Sequence, residues 1–372
     1  MSEVKHNGQG GRLQSLDTLR GMDMLFIMGF AALIVSICKL FPGGEGCWLE
    51  RNMHHAQWHG LLHHDTIFPL FLFIAGVTFP FSFAKKQSLG VSNGKIWWDV
   101  IRRGMVLALL GLVYNGLFQF KMPLRFASVL GRIGMAWMFA AMLYMCVKRK
   151  WRVVIATVIL VGYWLLLRFV HAPDVPVGAD PFSLDGNLCG YVDRVLLPGK
   201  IYRGNFDPEG ILALLPAIVT AMLGMFTGEF VRSEGASGPR KTVYMIAAGA
   251  VMLALGLAWS LVFPINKQLW TSSFVLVVGA YSLLCFAVLY YIVDVRGHNK
   301  WTLPFRVIGM NSITIYMAQQ IIDFRKIGKF FVGGIARLSP DPVGDVVVHL
   351  AYVVVCWLFL WFLYKHKVFL KV

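Results

Sequence analysis

Repeated runs of about twenty apolar residues constrain this chain more than any motif does. "GMDMLFIMGFAALIVSICKLF" begins at Gly21 and "TIFPLFLFIAGVTFPFSF" at Thr66. A run of that length crosses a hydrocarbon core of roughly 30 Å as a helix. Lipid offers no partner to a bare backbone N–H or C=O, so such runs are helical rather than extended. Composition agrees: 57% of the 372 residues are hydrophobic and only 15% are charged. A soluble domain of this length needs more polar surface. The expectation is an all-α integral membrane protein with one transmembrane domain, residues 21–372, after a polar N-terminal segment, 1–20. No cleavable apolar core with a small-residue site follows that segment, so the first span reads as an uncleaved anchor.

The apolar pattern gives about ten spans, at roughly 21–41, 66–84, 103–120, 127–147, 152–171, 209–231, 242–263, 272–294, 304–322 and 346–364. Basic residues alternate between the connections. Lys5, Arg12 and Arg20 precede the first span, Lys85, Lys86, Lys95, Arg102 and Arg103 follow the second, and "KRKWR" follows the fourth. Later come "RSEGASGPRK", then Arg296, Lys300 and Arg306, then the lysine-rich tail. Of the intervening connections, 42–65 holds one basic residue, Arg51, against Glu45, Glu50 and Asp65, and 172–208 is rich in Asp and Pro. By the positive-inside rule both termini are cytoplasmic and loops 42–65, 172–208 and 323–345 face outward. Loop 323–345 departs from the pattern, since it carries Arg325, Lys326, Lys329 and Arg337. The net charge of +16 is thus read as loop charge that orients helices. No basic stripe with interleaved aromatics lies on a soluble segment, so nucleic acid is not an expected partner and membrane lipid is.

Chemistry is concentrated in "RNMHHAQWHGLLHHDTIFPLFLFIAG", residues 51–76, which holds His54, His55, His59, His63 and His64, five of ten histidines. His55, His59 and His63 are four apart and would share one face of a helix, a spacing that suits a metal. Gly60 interrupts that helix and no second ligand cluster is evident, so no metal is expected. A second reading is an interfacial segment with Trp58 at headgroup level. A third is catalysis, because a neutral imidazole is both base and nucleophile near pH 7. Asp65 would then orient it, and the same carboxylate can cap the following span. Periodicity does not choose among the three. Cys47 and Cys189 fall in two expected outer loops, where an oxidising compartment would let them pair.

The order of short motifs does choose. "LDTLRG" (16–21), "HAQWHGL" (55–61), "DTIFPLFLFIAG" (65–76), "LGRIG" (130–134), "FDPEGILALLPAIVTAMLGMFTGEF" (206–230) and "GMNSITIY" (309–316) follow one another here. Together they resemble the heparan-α-glucosaminide N-acetyltransferase family of transmembrane acyltransferases, over nearly the whole chain. The resemblance implies acetyl-CoA as a cytosolic donor and a terminal glucosamine as acceptor on the far side of the membrane. It implies that His55, within His-Ala-x-Trp-x-Gly-Leu, is the catalytic residue. It suggests a bacterial relative in the inner membrane, without the animal enzyme's large luminal extension, and it allows a homodimer. The chain departs from the lysosomal member at Ala31, where that protein has asparagine, and at Gln319 and Gln320, where it has a His-Glu pair.

From this the expected roles are as follows. His55 and Asp65 carry catalysis. Arg132, Asn311, Ser312 and Arg20 meet the donor, Arg132 through the phosphates and Asn311 at the thioester oxygen. Trp58, His59, Asp207 and Glu209 meet the acceptor, the acids holding its ammonium. Asn115 and Ser312 can equally serve as interhelical hydrogen bonders. Either His55 deprotonates the amine in one step, or it carries the acetyl group in two; the first is favoured, because an acyl-imidazole hydrolyses easily. Two rival readings are an O-acyltransferase of envelope glycans and a transporter. The second should show related halves with broken helices, which are not found.

Overall fold

The computed structural model describes residues 13–120, 122–176 and 178–370. Lys5, Arg12 and Lys371, used in the charge count, lie outside these described residues. Thirteen helices carry the architecture. They are α1 Gln14–Cys38, α2 His63–Ser88, α3 Asn93–Tyr114, α4 Val129–Cys146, α5 Arg149–Phe169, α6 Leu188–Leu196, α7 Leu214–Arg232, α8 Gly238–Ser260, α9 Ser272–Val295, α10 Leu303–Met310, α11 Ser312–Ile321, α12 Phe324–Leu338 and α13 Asp341–Lys365. No strand occurs among the described residues, apart from one isolated bridge between Arg125 and Gly199. The protein is an all-helical, multi-pass membrane protein.

Eight helices are long and apolar enough to cross a bilayer: α1, α2, α4, α5, α7, α8, α9 and α13. The other two of the ten expected spans differ in physical character. Helix α3 starts ten residues before the expected span and carries Lys95, Asp99, Arg102 and Arg103 in its first half. The stretch at 304–322 is two helices, because Asn311 leaves helical geometry (φ −125°, ψ 26°). The expected loop 323–345 contains α12, a strongly two-sided helix. Its four cations, Arg325, Lys326, Lys329 and Arg337, occupy one arc, while Phe330, Phe331 and Leu338 stand exposed. That accounts for basic residues in a loop where orientation alone does not call for them.

Helices α2, α7 and α9 form the buried centre and α8 and α13 lie at the edge, with outward apolar side chains suited to lipid. Small residues set the closest crossings. Gly224 and Gly228 of α7 face α2, where an added Cβ would lie 2.1 Å from the Phe73 carbonyl oxygen and 2.3 Å from that of Val77. Gly21 of α1 and Gly309 of α10 meet likewise; a Cβ on Gly309 would lie 1.9 Å from the Asp17 carbonyl oxygen. Helix α1 loosens into a wider turn at Phe26–Phe30, where Gly29 takes φ 110° beneath the Tyr352 ring.

Candidate active site

The histidine segment does not form a helix across 54–62; α2 begins only at His63. His55, His59 and His63 therefore do not share a helical face. What organises the segment is Asp65, in the first turn of α2. Its Oδ2 accepts the backbone N–H groups of Ala56 and Leu62, both at 3.1 Å, which folds the loop around one carboxylate. Its Oδ1 lies 2.7 Å from His55 Nδ1. The Asp65 side chain is 1% exposed and that of His55 54% exposed, so the imidazole is anchored at one edge and open at the other. A lone pair on Nδ1 would face a carboxylate oxygen at that distance. Nδ1 therefore carries the hydrogen and donates it, and Nε2 keeps its lone pair on the open side.

A third residue, absent from the sequence expectation, completes this arrangement. Lys267 Nζ lies 3.0 Å from His55 Nδ1 and 3.3 Å from Asp65 Oδ1. It sits in the short link between α8 and α9. Within that link Leu269 N–H donates to Asn266 Oδ1 (2.9 Å), and Thr271 Oγ1 accepts from Asn266 N–H (3.1 Å) while donating to the Pro264 carbonyl (2.9 Å). The link is tied to the histidine loop: Gly60 N–H donates to the Ile265 carbonyl at 2.8 Å, and Gln268 Nε2 to that of Gln57 at 2.9 Å. Gly60 adopts φ 110°, a conformation few other residues would take. Burial pulls the Lys267 amine below the usual lysine range, against the opposing pull of the Asp65 carboxylate. In the sequence its signal was faint: a lone basic residue in "PINKQLW", between two long apolar runs.

The neighbours are aromatic. The His64 ring meets His55 edge-on at 4.6 Å between centroids, and His63 packs on Phe26 at 4.6 Å. The Nδ1 atoms of both are buried with no partner among the described residues. His59 Nδ1 accepts from Asn266 Nδ2 at 3.4 Å, and burial lowers its affinity for a proton, against the charge of Asp180. Trp58 Nε1 donates to the Phe182 carbonyl at 2.8 Å, and its ring rests on Phe206. It thus joins the histidine loop to the 172–208 connection.

Asp207 and Glu209 lie near this end but are occupied by a cation of the chain itself. Arg125 donates from Nε to Asp207 Oδ2 (2.8 Å), from Nη2 to Asp207 Oδ1 (2.6 Å), and from Nη2 to Glu209. Asp207 also accepts backbone N–H groups of Tyr202 (3.1 Å) and Glu209 (3.0 Å) and is 1% exposed.

The residues expected to meet the donor fall into two places. Arg132 lies at the His55 end, donating to the Gly210 carbonyl at 3.2 Å with its guanidinium 5.2 Å from the Trp270 ring. Its Nε and Nη1 are buried without a partner among the described residues. Arg20 lies on α1 beside Asp17, at 3.5 Å, close to where α1 meets Gly309. Asn311 and Ser312 follow two and three residues later. Asn311 is buried, its Oδ1 accepts from Thr314 at 3.4 Å, and its Nδ2 has no partner among the described residues.

The cysteine pairing does not form. Cys189 is buried 3.2 Å from Tyr163 Oη, while Cys47 Sγ lies 3.9 Å from that of Cys38. Helix α6 turns Cys189 into the core, away from the loop that carries Cys47.

Fold and site together define a polytopic helical membrane protein with a His–Asp–Lys cluster at one end of its bundle. No protein-family model matches the chain. It is 27% identical to human heparan-alpha-glucosaminide N-acetyltransferase, over 84% of this chain and 53% of that protein. It is 25% identical to the mouse protein of the same name, over 97% of this chain and 60% of that one. The chain thus spans little more than half the length of these relatives. Over most of its own length the chain is similar to two proteins named heparan-alpha-glucosaminide N-acetyltransferase.

Proposed function

We propose that the protein transfers an acetyl group from cytosolic acetyl-CoA to the amine of a glucosamine-type sugar on the extracytoplasmic face of an inner membrane. The observation that carries this reading is the 2.7 Å contact between His55 Nδ1 and Asp65 Oδ1, with the opposite edge of the imidazole open. The names of both relatives support the reaction class.

In this mechanism Nε2 of His55 takes a proton from the sugar ammonium. The freed amine attacks the thioester carbonyl, a C–N bond forms, and the C–S bond breaks. The nitrogen's second proton leaves with the CoA thiolate, so one proton is released overall. Asp65 stabilises the imidazolium and keeps the ring turned. A direct transfer suits this site better than an acetyl-histidine intermediate. His55 is more than half exposed, and water would reach an acyl-imidazole.

Trp58 and His59 would border the acceptor. Asp207, saturated by Arg125 and two backbone donors, would shape this rim rather than touch the sugar. The donor is an elongated nucleotide thioester. Arg20 would lie toward its phosphates, with Asn311 and Ser312 along its path. Arg132, nearest the His55 end, would face the reacting carbonyl.

The test uses purified protein with radiolabelled acetyl-CoA and glucosamine, wild type beside His55→Ala. Labelled amide from wild type alone, with CoA binding kept in the variant, supports the reading. Equal transfer by both proteins removes His55 from the chemistry. Labelled ester in place of amide would make it an O-acyltransferase.

A further inference from the structure

Lys267 places a cation beside His55 that the transfer chemistry does not itself require. An ammonium has three donors and no acceptor. With Nδ1 of His55 already donating to Asp65 at 2.7 Å, Lys267 has nothing to donate to on that ring. Its hydrogen bond goes to Asp65 Oδ1, 3.3 Å away, and its 3.0 Å approach to Nδ1 is an unrelieved contact between two N–H groups. Asp65 then receives four donors: the Ala56 and Leu62 backbone amides on one oxygen, His55 and Lys267 on the other. The lone-pair directions of the carboxylate are then all taken by donors, which keeps it ionised, so it orients the ring hydrogen and does not remove it.

We infer that Lys267 is a positioning residue for His55: it keeps Asp65 a carboxylate, fixes the ring hydrogen on Nδ1, and through its own charge opposes a second hydrogen on Nε2. The inference deepens the acetyltransferase reading, because it says why Nε2 is offered as a base. The charged and titratable groups around His55 are few. Asp65 and His64 face it from α2 and Lys267 from the α8–α9 link. Glu209 and Arg132 act on Lys267 from further off. Asp65 acts on His55 in the opposite sense to Lys267 and stays in place when Lys267 is changed.

The experiment reads His55 directly and needs no substrate. Diethylpyrocarbonate acylates neutral imidazole, and peptide mass spectrometry gives the rate at His55 as a function of pH. Wild type, Lys267→Met, Lys267→Gln and Lys267→Arg are compared as full-length protein in detergent. His54, paired with Glu50 at 3.2 Å, is the internal control in every sample. Removing a cation so close moves the acid limb of His55 modification to higher pH by about one pH unit. That makes modification on the limb roughly tenfold slower in the Met and Gln variants, with Arg close to wild type and His54 unmoved. An unmoved limb in both Met and Gln variants overturns the inference, as does an equal shift at His54. If the limb moves as expected and wild type still transfers no acetyl group, the acetyltransferase reading falls and the placement of Lys267 stands.

Discussion

The indole N–H of Trp58 donates to the Phe182 carbonyl oxygen at 2.8 Å, across 124 residues of sequence. This bond ties the histidine loop to the long 172–208 connection, and the same ring lies on Phe206 at 5.4 Å. Trp58→Phe keeps most of the ring contact and leaves the buried carbonyl without its donor, at about 1–3 kcal/mol. The expected outcome is faster proteolysis within 172–208 and a several-fold higher KM for the sugar, with kcat changed less than twofold. A kcat loss at unchanged KM would place Trp58 in the chemical step.

Asp65→Asn tests whether the carboxylate is needed or only its shape. Asn offers one acceptor oxygen where Asp65 has two, so its amide must face either the Ala56 and Leu62 N–H groups or His55 and Lys267. Either way donor meets donor. Transfer should fall by roughly a thousandfold or more, as when a histidine loses its orienting carboxylate. The thermal midpoint, followed by intrinsic fluorescence, should also drop. Asp65→Asn at more than a tenth of wild-type rate would separate Asp65 from catalysis.

Arg125 and Asp207 form a bidentate pair in which Asp207 is almost fully buried. Removing Arg125, which also bonds Glu209, strands the buried Asp207 carboxylate, at about 3–5 kcal/mol, whereas replacing the whole cluster with uncharged residues of similar size is far milder. Arg125→Met should therefore lower the thermal midpoint sharply, and adding Asp207→Leu and Glu209→Gln should recover most of it. A single variant of unchanged stability with a raised KM for the sugar would return Asp207 to the acceptor site.

Length and apolar character made the helical membrane fold legible, since a twenty-residue apolar run has few other uses. Eight such runs became helices long enough to span. The less regular elements were hidden for physical reasons. The Arg102–Arg103 pair breaks the apolar window of α3, and a single turn of altered backbone at Asn311 divides a stretch whose composition is continuous. In the site, the pairing of His55 with Asp65 was readable because ten residues separate them and one short segment, 51–76, holds both. Lys267 was not, because it arrives from 212 residues away and only tertiary structure brings it to His55. Two readings left open by the sequence, a Cys47–Cys189 pair and a histidine face on a helix, do not occur, because α6 buries Cys189 and Asp65 folds the histidine loop irregularly.

Asp193, on α6 within the 172–208 connection, gives the fold a dependence on pH. The residue is fully buried, and Gly210 packs on its carboxylate so closely that a Cβ there would lie 2.0 Å from Oδ2. Burial raises its pKa from the usual 3.8 to about 6; the Ile211 N–H at Oδ1 and the Arg132 charge pull the other way and lose. The folded protein thus binds this proton more tightly than the unfolded chain does. The stabilisation is complete below about pH 4 and is lost as pH rises through about 6, which amounts to about 3 kcal/mol in all. Asp193→Asn keeps the oxygen that accepts from Ile211 and has no charge to bury. Its thermal midpoint should change less than wild type's between pH 4 and pH 7, and at pH 7 it should be the more stable protein. The check is a thermal scan of both in the same detergent at half-unit steps of pH. Parallel curves would mean that Asp193 is already ionised at pH 4 inside the fold, with Arg132 rather than a proton balancing its charge.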